Sequence, residues 1–150
     1  HEVSAPVGPE EVEALLPVVR DLHDILFEFK ARFAHYGAFR GIAAPQIGVM
    51  KRLIYVHLGD RPRAIFNPVL EHLSGETFEL WDDCMCFPNL LVRVERHRSL
   101  TLRYRDEHWQ EQVWPVEGSV SELIQHEHDH LDGILATQRA MDGYSFRWRI

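Results

Sequence analysis

The feature that most constrains the fold is an order: one long helical segment, a run of short β-rich segments, then a second helix. "GPEEVEALLPVVRDLHDILFEFKARFAHYG" (8–37) repeats apolar residues at Val12, Leu15, Leu16, Val19, Leu22, Leu26, Phe29 and Phe33, the spacing of a helix with one buried face. Gly8 and Pro9 suit its start, and Glu10 and Glu11 suit the positive end of its dipole. Pro17 either kinks this helix or marks its true start, and Gly37 ends it. His23 and His35 read as surface or flank residues. "RLIYVHL" (52–58), "RAIFNPVLEHL" (63–73, broken at Pro68) and "TFELW" (77–81) read as strands. "LLVRVER" (90–96), "SLTLRYRD" (99–106) and "QEQVWPV" (110–116) alternate as an antiparallel meander. "GSVSELIQHEHDHLDG" (118–133) returns to helix, with a capping-box pattern at Ser119 and Glu122 and a stop at Gly133. "YSFRWRI" (144–150) reads as a short closing strand. This is the order of an α+β domain. The length of 150 residues suits a single domain, 1–150, with a real core.

Composition narrows the function. The net charge is −7 and no basic run occurs, which argues against a nucleic-acid binder. Cys84 and Cys86 are too close in sequence to staple a fold, so they read as reduced thiols, suiting a cytoplasmic compartment or a metal site. No apolar run approaches the roughly 18 residues of a membrane span, and the first residues lack signal-peptide character.

His126, Glu127 and His130 form the pattern H-E-x-x-H. Positions i and i+4 share one helix face, so both imidazoles can reach one metal ion, and a catalytic site needs a third ligand. Residues 131 to 150 contain no His, Cys or Glu, so the third ligand is expected upstream. "WDDCMCFPNL" (81–90) offers Cys84 and Cys86, since thiolates bind borderline divalent ions strongly. A third segment, "RGIAAPQIG" (40–48), reads by itself as a loop or edge strand where something approaches the backbone closely.

Together and in this order the three segments resemble the peptide deformylase family. Gly41 to Gly48 match its first motif. Asp82, Asp83, Cys84, Met85 and Cys86 match its second loosely, and Gln125 to Gly133 match its third fully. The resemblance implies antiparallel β-sheets packed around a central H-E-x-x-H helix, with a long N-terminal helix. It implies Cys84, His126 and His130 as ligands of one divalent ion, natively iron(II), with zinc, nickel or cobalt as replacements. It implies Glu127 as the proton-transfer group, and Gln46 with the backbone N–H of Met85 as oxyanion donors. Arg40, Gly41 and Ile42 would line the substrate, with Gly41 leaving room for its backbone. The substrate would be formylmethionine at the N-terminus of nascent peptides, met in the cytoplasm with transient ribosome association.

Departures from the family pattern carry their own expectations. Phe39 stands where the first motif usually has glycine, and so narrows the entrance. Asp83 replaces a glycine before the ligand cysteine; it would be strained if φ is positive there, and it adds charge or a polar contact for substrate. Cys86 replaces serine, and in an extended segment it would point with Cys84 and compete as a ligand or invite oxidation. Ser119, Glu122 and Leu123 share the side of His126 that would wall the methionine pocket. Glu122 reads first as a cap of its own helix, and second as a partner of Arg40 that makes the pocket more polar. These departures keep two alternatives open: a relative hydrolysing another N-formyl amine or small formamide, and a non-catalytic metal-binding relative.

Overall fold

The structure, a computed structural model, describes residues 2–36, 40–59 and 61–149. A tight turn at Pro9–Glu11 leads into helix α1, Val12–Arg32, which runs through Pro17. Pro17 therefore does not mark the helix start. The helix ends at Arg32, and a separate turn, Ala34–Tyr36, follows; Gly37 lies outside the described residues.

Among the described residues eight strands follow: β1 (Gly41–Ala43), β2 (Leu53–Leu58), β3 (Arg61–Glu71), β4 (Thr77–Asp82), β5 (Leu90–His97), β6 (Ser99–Arg105), β7 (Glu111–Glu117) and β8 (Phe146–Trp148). Helix α2, Gly118–Leu131, lies between β7 and β8 in the chain. Pairing is antiparallel throughout, in two sheets ordered β1-β2-β3-β6-β7 and β4-β5-β8. The expected meander of 90–116 is thus split. β6 and β7 form a hairpin in the first sheet, while β5 pairs with β4 and β8 in the second.

Pro68 does not break β3. The strand bulges between Phe66 and Val69, where a missing N–H is tolerated. Asn67 takes φ 50° at the bulge, and its amide exchanges two hydrogen bonds with the backbone of Val7, at 2.8 and 2.7 Å. The bulge thereby holds the N-terminal segment, which also bridges Ala5 to Lys51.

The alternation of β2 builds two cores. Leu53 and Tyr55 pack with Leu22 and Leu26 of α1, whereas Ile54 and Val56 pack with Ile124 and Leu131 of α2. A smaller cluster of Val92, Val94 and Ala136 lies under the second sheet. Helix α2 contacts both sheets, and from Ser121 to Leu131 its residues are buried except His128. Among the described residues no helix is long and apolar enough to cross a membrane.

Candidate metal centre

The turn from β7 into α2 sets the site's orientation. Gly118 takes φ 60°, a conformation that favours glycine, so the chain passes from strand to helix without a linker. The helix therefore begins before Ser119, and the expected capping box is absent: Glu117 is the cap position and no side chain caps it. Glu122 is instead free to reach across to the residue before β1, Arg40, which donates to its Oε1 at 2.8 Å and to the carbonyl of Ser119 at 3.2 Å. This corrects the reading of Glu122 as a cap.

His126 and His130 follow one and two turns later. Their Nε2 atoms are 3.3 Å apart, and the Cys84 Sγ is 3.4 Å from the Nε2 of His130. The three ligand atoms lie within 4.8 Å of one another. A tetrahedral ion with bonds of roughly 2.0–2.3 Å has ligand atoms about 3.3–3.8 Å apart, so the donor set fits a single ion. Cys86 is outside this cluster and exposed, because 83–89 turns rather than extends. Even so, the two thiols stay in contact, sharing a hydrogen bond and both facing the Gln46 side-chain amide. Cys86 stays close enough for its N–H to approach the Cys84 Sγ at 3.5 Å. The Cys84 thiol is pushed up by its hydrogen bond with Cys86 and by burial, while Cys86 is lowered by that same bond.

The histidines are held from behind. His126 Nδ1 donates to Asp82 Oδ2 at 2.7 Å, which turns Nε2 toward the ligand cluster. Burial works against charge on His126, but the adjacent Asp82 carboxylate outweighs it and raises the ring to about 9. Burial and the nearby His126 charge push His130 down to about 4. Protons on His126 Nε2 and on the Cys84 thiol must leave as the three ligands close on an ion. Asp82 itself is kept ionised against its burial by His126 and Arg96. Arg96 donates to Asp82 and, at 2.7 Å, to Asp129 of α2, which also receives Arg139. Sequence reasoning missed Arg96. The signal was present: Val92, Val94 and Arg96 share the inward register of β5, so a cation stood where the alternation called for an apolar residue.

Glu127 is buried, with Oε1 3.8 Å from His126 Nε2 and no partner for Oε2 among the described residues. Burial raises it to about 7 against the pull of His126. Gln46 lies on the turn after β1. Its Oε1 accepts the Ala43 N–H at 2.8 Å, and its Nε2 faces the sulfurs of Cys84 and Cys86 at 3.8 and 3.5 Å. Gln46, Glu127, Met85 and Leu123 all line a cavity of about 340 Å³ beside the cluster.

The remaining expected residues separate. A side chain on Gly41 would meet Leu123 Cδ1 at 3.1 Å and Glu127 Cγ at 3.2 Å, so the missing side chain lets α2 approach β1. Ile42 is 1% exposed and packs under α1, so its side chain is not available to a substrate; β1 offers its backbone there. Asp83 is not strained: it is absent from the left-handed residues among those described, and it pairs with Arg149. Phe39 lies outside the described residues.

A helix carrying H-E-x-x-H, a thiol from the end of a neighbouring strand and antiparallel sheets on either side define a metalloprotein of the H-E-x-x-H class. Within that class the chain belongs to the polypeptide deformylase family, whose model matches residues 1–144. A "Peptide deformylase 1" of Prochlorococcus marinus is 33% identical over 97% of this chain and 78% of its own length. A "Peptide deformylase" of Thermotoga petrophila is 33% identical over 70% of this chain, and the match spans 63% of that relative's length. The crystal structure of peptide deformylase from Thermotoga maritima superposes with a TM-score of 0.84 at 26% identity, covering 94% of this chain and 90% of that one.

Proposed function

We propose that the chain hydrolyses the N-formyl group from the N-terminal formylmethionine of nascent peptides, releasing formate and a free amine. The observation that carries this reading is Glu127, a buried carboxylate with an unpartnered oxygen beside three convergent metal-ligand side chains. Cys84, His126 and His130 would hold the ion, iron(II) natively, with zinc, nickel or cobalt as substitutes. Bound there, the ion would supply Lewis acidity, polarising the formyl oxygen and lowering the pKa of water. Glu127 takes a proton from the attacking water, and its raised pKa suits both accepting that proton and returning it to the departing nitrogen. Water oxygen bonds to the formyl carbon, the C–N bond breaks, and the proton held by Glu127 completes the amine. Gln46 Nε2 and the Met85 N–H donate to the negative charge developing on the formyl oxygen. The backbone of β1 guides the peptide, and Leu123, Glu122 and Arg40 wall the side-chain pocket. We read residues 1–150 as one metallohydrolase domain working in the cytoplasm with transient ribosome association.

The test is formate release from a formyl-Met tripeptide by protein loaded anaerobically with iron(II), with metal content measured on the same sample. Glu127→Ala is expected to keep its metal and lose on the order of 10²–10⁴ in kcat/KM. A wild-type protein that is metal-loaded and inactive on formyl peptides would overturn the peptide substrate and turn the assay to small formamides.

A further inference from the structure

Arg40, Arg147 and Arg149 line the cavity beside the ligand cluster. Two of them are committed. Arg40 is bound to Glu122, and Arg149 to Asp83. Arg147, on β8 opposite Leu91, has no carboxylate at salt-bridge distance among the described residues. Its guanidinium lies 4.3 Å from the ring centroid of Trp81, which also lines the cavity. A guanidinium over an indole face keeps N–H donors available to other partners, and a planar carboxylate can meet two of them at once. The contact with Trp81 also restricts the side chain beforehand, so less freedom is lost on binding.

We infer that Arg147 is an anion-docking residue of the substrate cavity, holding a carboxylate carried by the body of the formylated substrate. The inference rests on the deformylase reading for what lies in the cavity. The carboxylate has two sources, the C-terminus of a short peptide or an acidic side chain beyond the formylated residue. Arg147 touches the substrate away from the scissile bond, so its contribution falls on binding.

The experiment compares two substrate pairs on metal-loaded protein: formyl-Met-Ala-Ser as free acid and as amide, and amidated formyl-Met-Ala-Glu with amidated formyl-Met-Ala-Gln. About tenfold higher kcat/KM for the carboxylate member, mainly through KM and shrinking with salt, is the expected size of one charge-assisted contact. The pair that responds identifies the source. Arg147→Met keeps an unbranched side chain against Trp81 and is expected to abolish the preference, whereas Arg147→Lys retains part of it. Equal rates within both pairs, or a preference that survives Arg147→Met, would overturn the assignment. Calorimetric binding of the corresponding deformylated peptides gives the same ratio without turnover. Binding that favours the carboxylate through Arg147, with no hydrolysis of any peptide, would reject the deformylase reading and retain the docking residue. Hydrolysis with equal binding ratios would do the reverse.

Discussion

At the scale of single residues, the site separates what a local pattern can reveal from what it cannot. The candidate ligand histidines were legible because the period of a helix is local; the scarcity of soft ligands upstream left both Cys84 and Cys86, and the family resemblance chose Cys84. Glu122 was misread for the complementary reason. Its capping pattern is local, but the left-handed Gly118 moved the helix start and released the side chain to Arg40, 82 residues away in sequence. That carboxyl now sits where burial, helped by Asp82, raises it to about 7 from an ordinary 4.5, despite Arg40. Between those values the folded chain keeps a proton that the unfolded chain has released. Stability attributable to Glu122 is therefore greatest below the lower value, falls as pH rises through the window, and levels off above the upper one. Urea unfolding of wild type and Glu122→Gln is expected to show it. Relative to the variant, the wild type should lose on the order of 2 kcal/mol between about pH 5 and about pH 8. An unchanged difference across that range would mean that Arg40 compensates the burial in full.

At the scale of elements, most strands were readable from alternation, but their assignment to sheets was not. β5 and β6 are separated by a single residue yet lie in different sheets, a choice made by the partners each finds elsewhere in the chain. Arg96 belongs to the same lesson, since the acids that justify it come from β4 and α2. Its guanidinium ties the second sheet to the helix, and Arg96→Met would leave Asp82 and Asp129 buried with one cation fewer. The expected cost is about 3–5 kcal/mol in a urea titration; a loss below about 1 kcal/mol would show that Arg139 and His126 suffice without it. Gly41 governs the other face of α2. In Gly41→Ala the new methyl must displace Leu123 and Glu127 by a few tenths of an ångström. A small displacement of Glu127 is expected to lower kcat/KM by about 10- to 100-fold. Circular dichroism should be unchanged, which would separate misplacement of the base from unfolding.

At the scale of the whole molecule, the ligand set bridges separate parts of the fold. Cys84 follows the last residues of β4 in the second sheet, while the histidines sit on α2, which packs against both sheets. An ion held by all three should favour the folded state over the unfolded one. Loading near 100 times the dissociation constant corresponds to about 2.7 kcal/mol, or on the order of 5–10 °C in Tm. Chelation should reverse the gain, and Cys84→Ala should lose both the gain and the metal. If Cys84→Ala kept a full metal complement while Cys86→Ala did not, the ligand would be Cys86. The same bridging has a consequence for the order of events during synthesis. Cys84 and His130 are 46 residues apart, so the thiol is synthesised well before its imidazole partners. An ion held by all three would be captured only after α2 is complete, and which ion it is would depend on what the cell offers to a nearly finished fold. Mismetallation of this protein would then be decided after folding, by metal supply and exchange, and growth conditions would shift its metal content without altering its refolding rate.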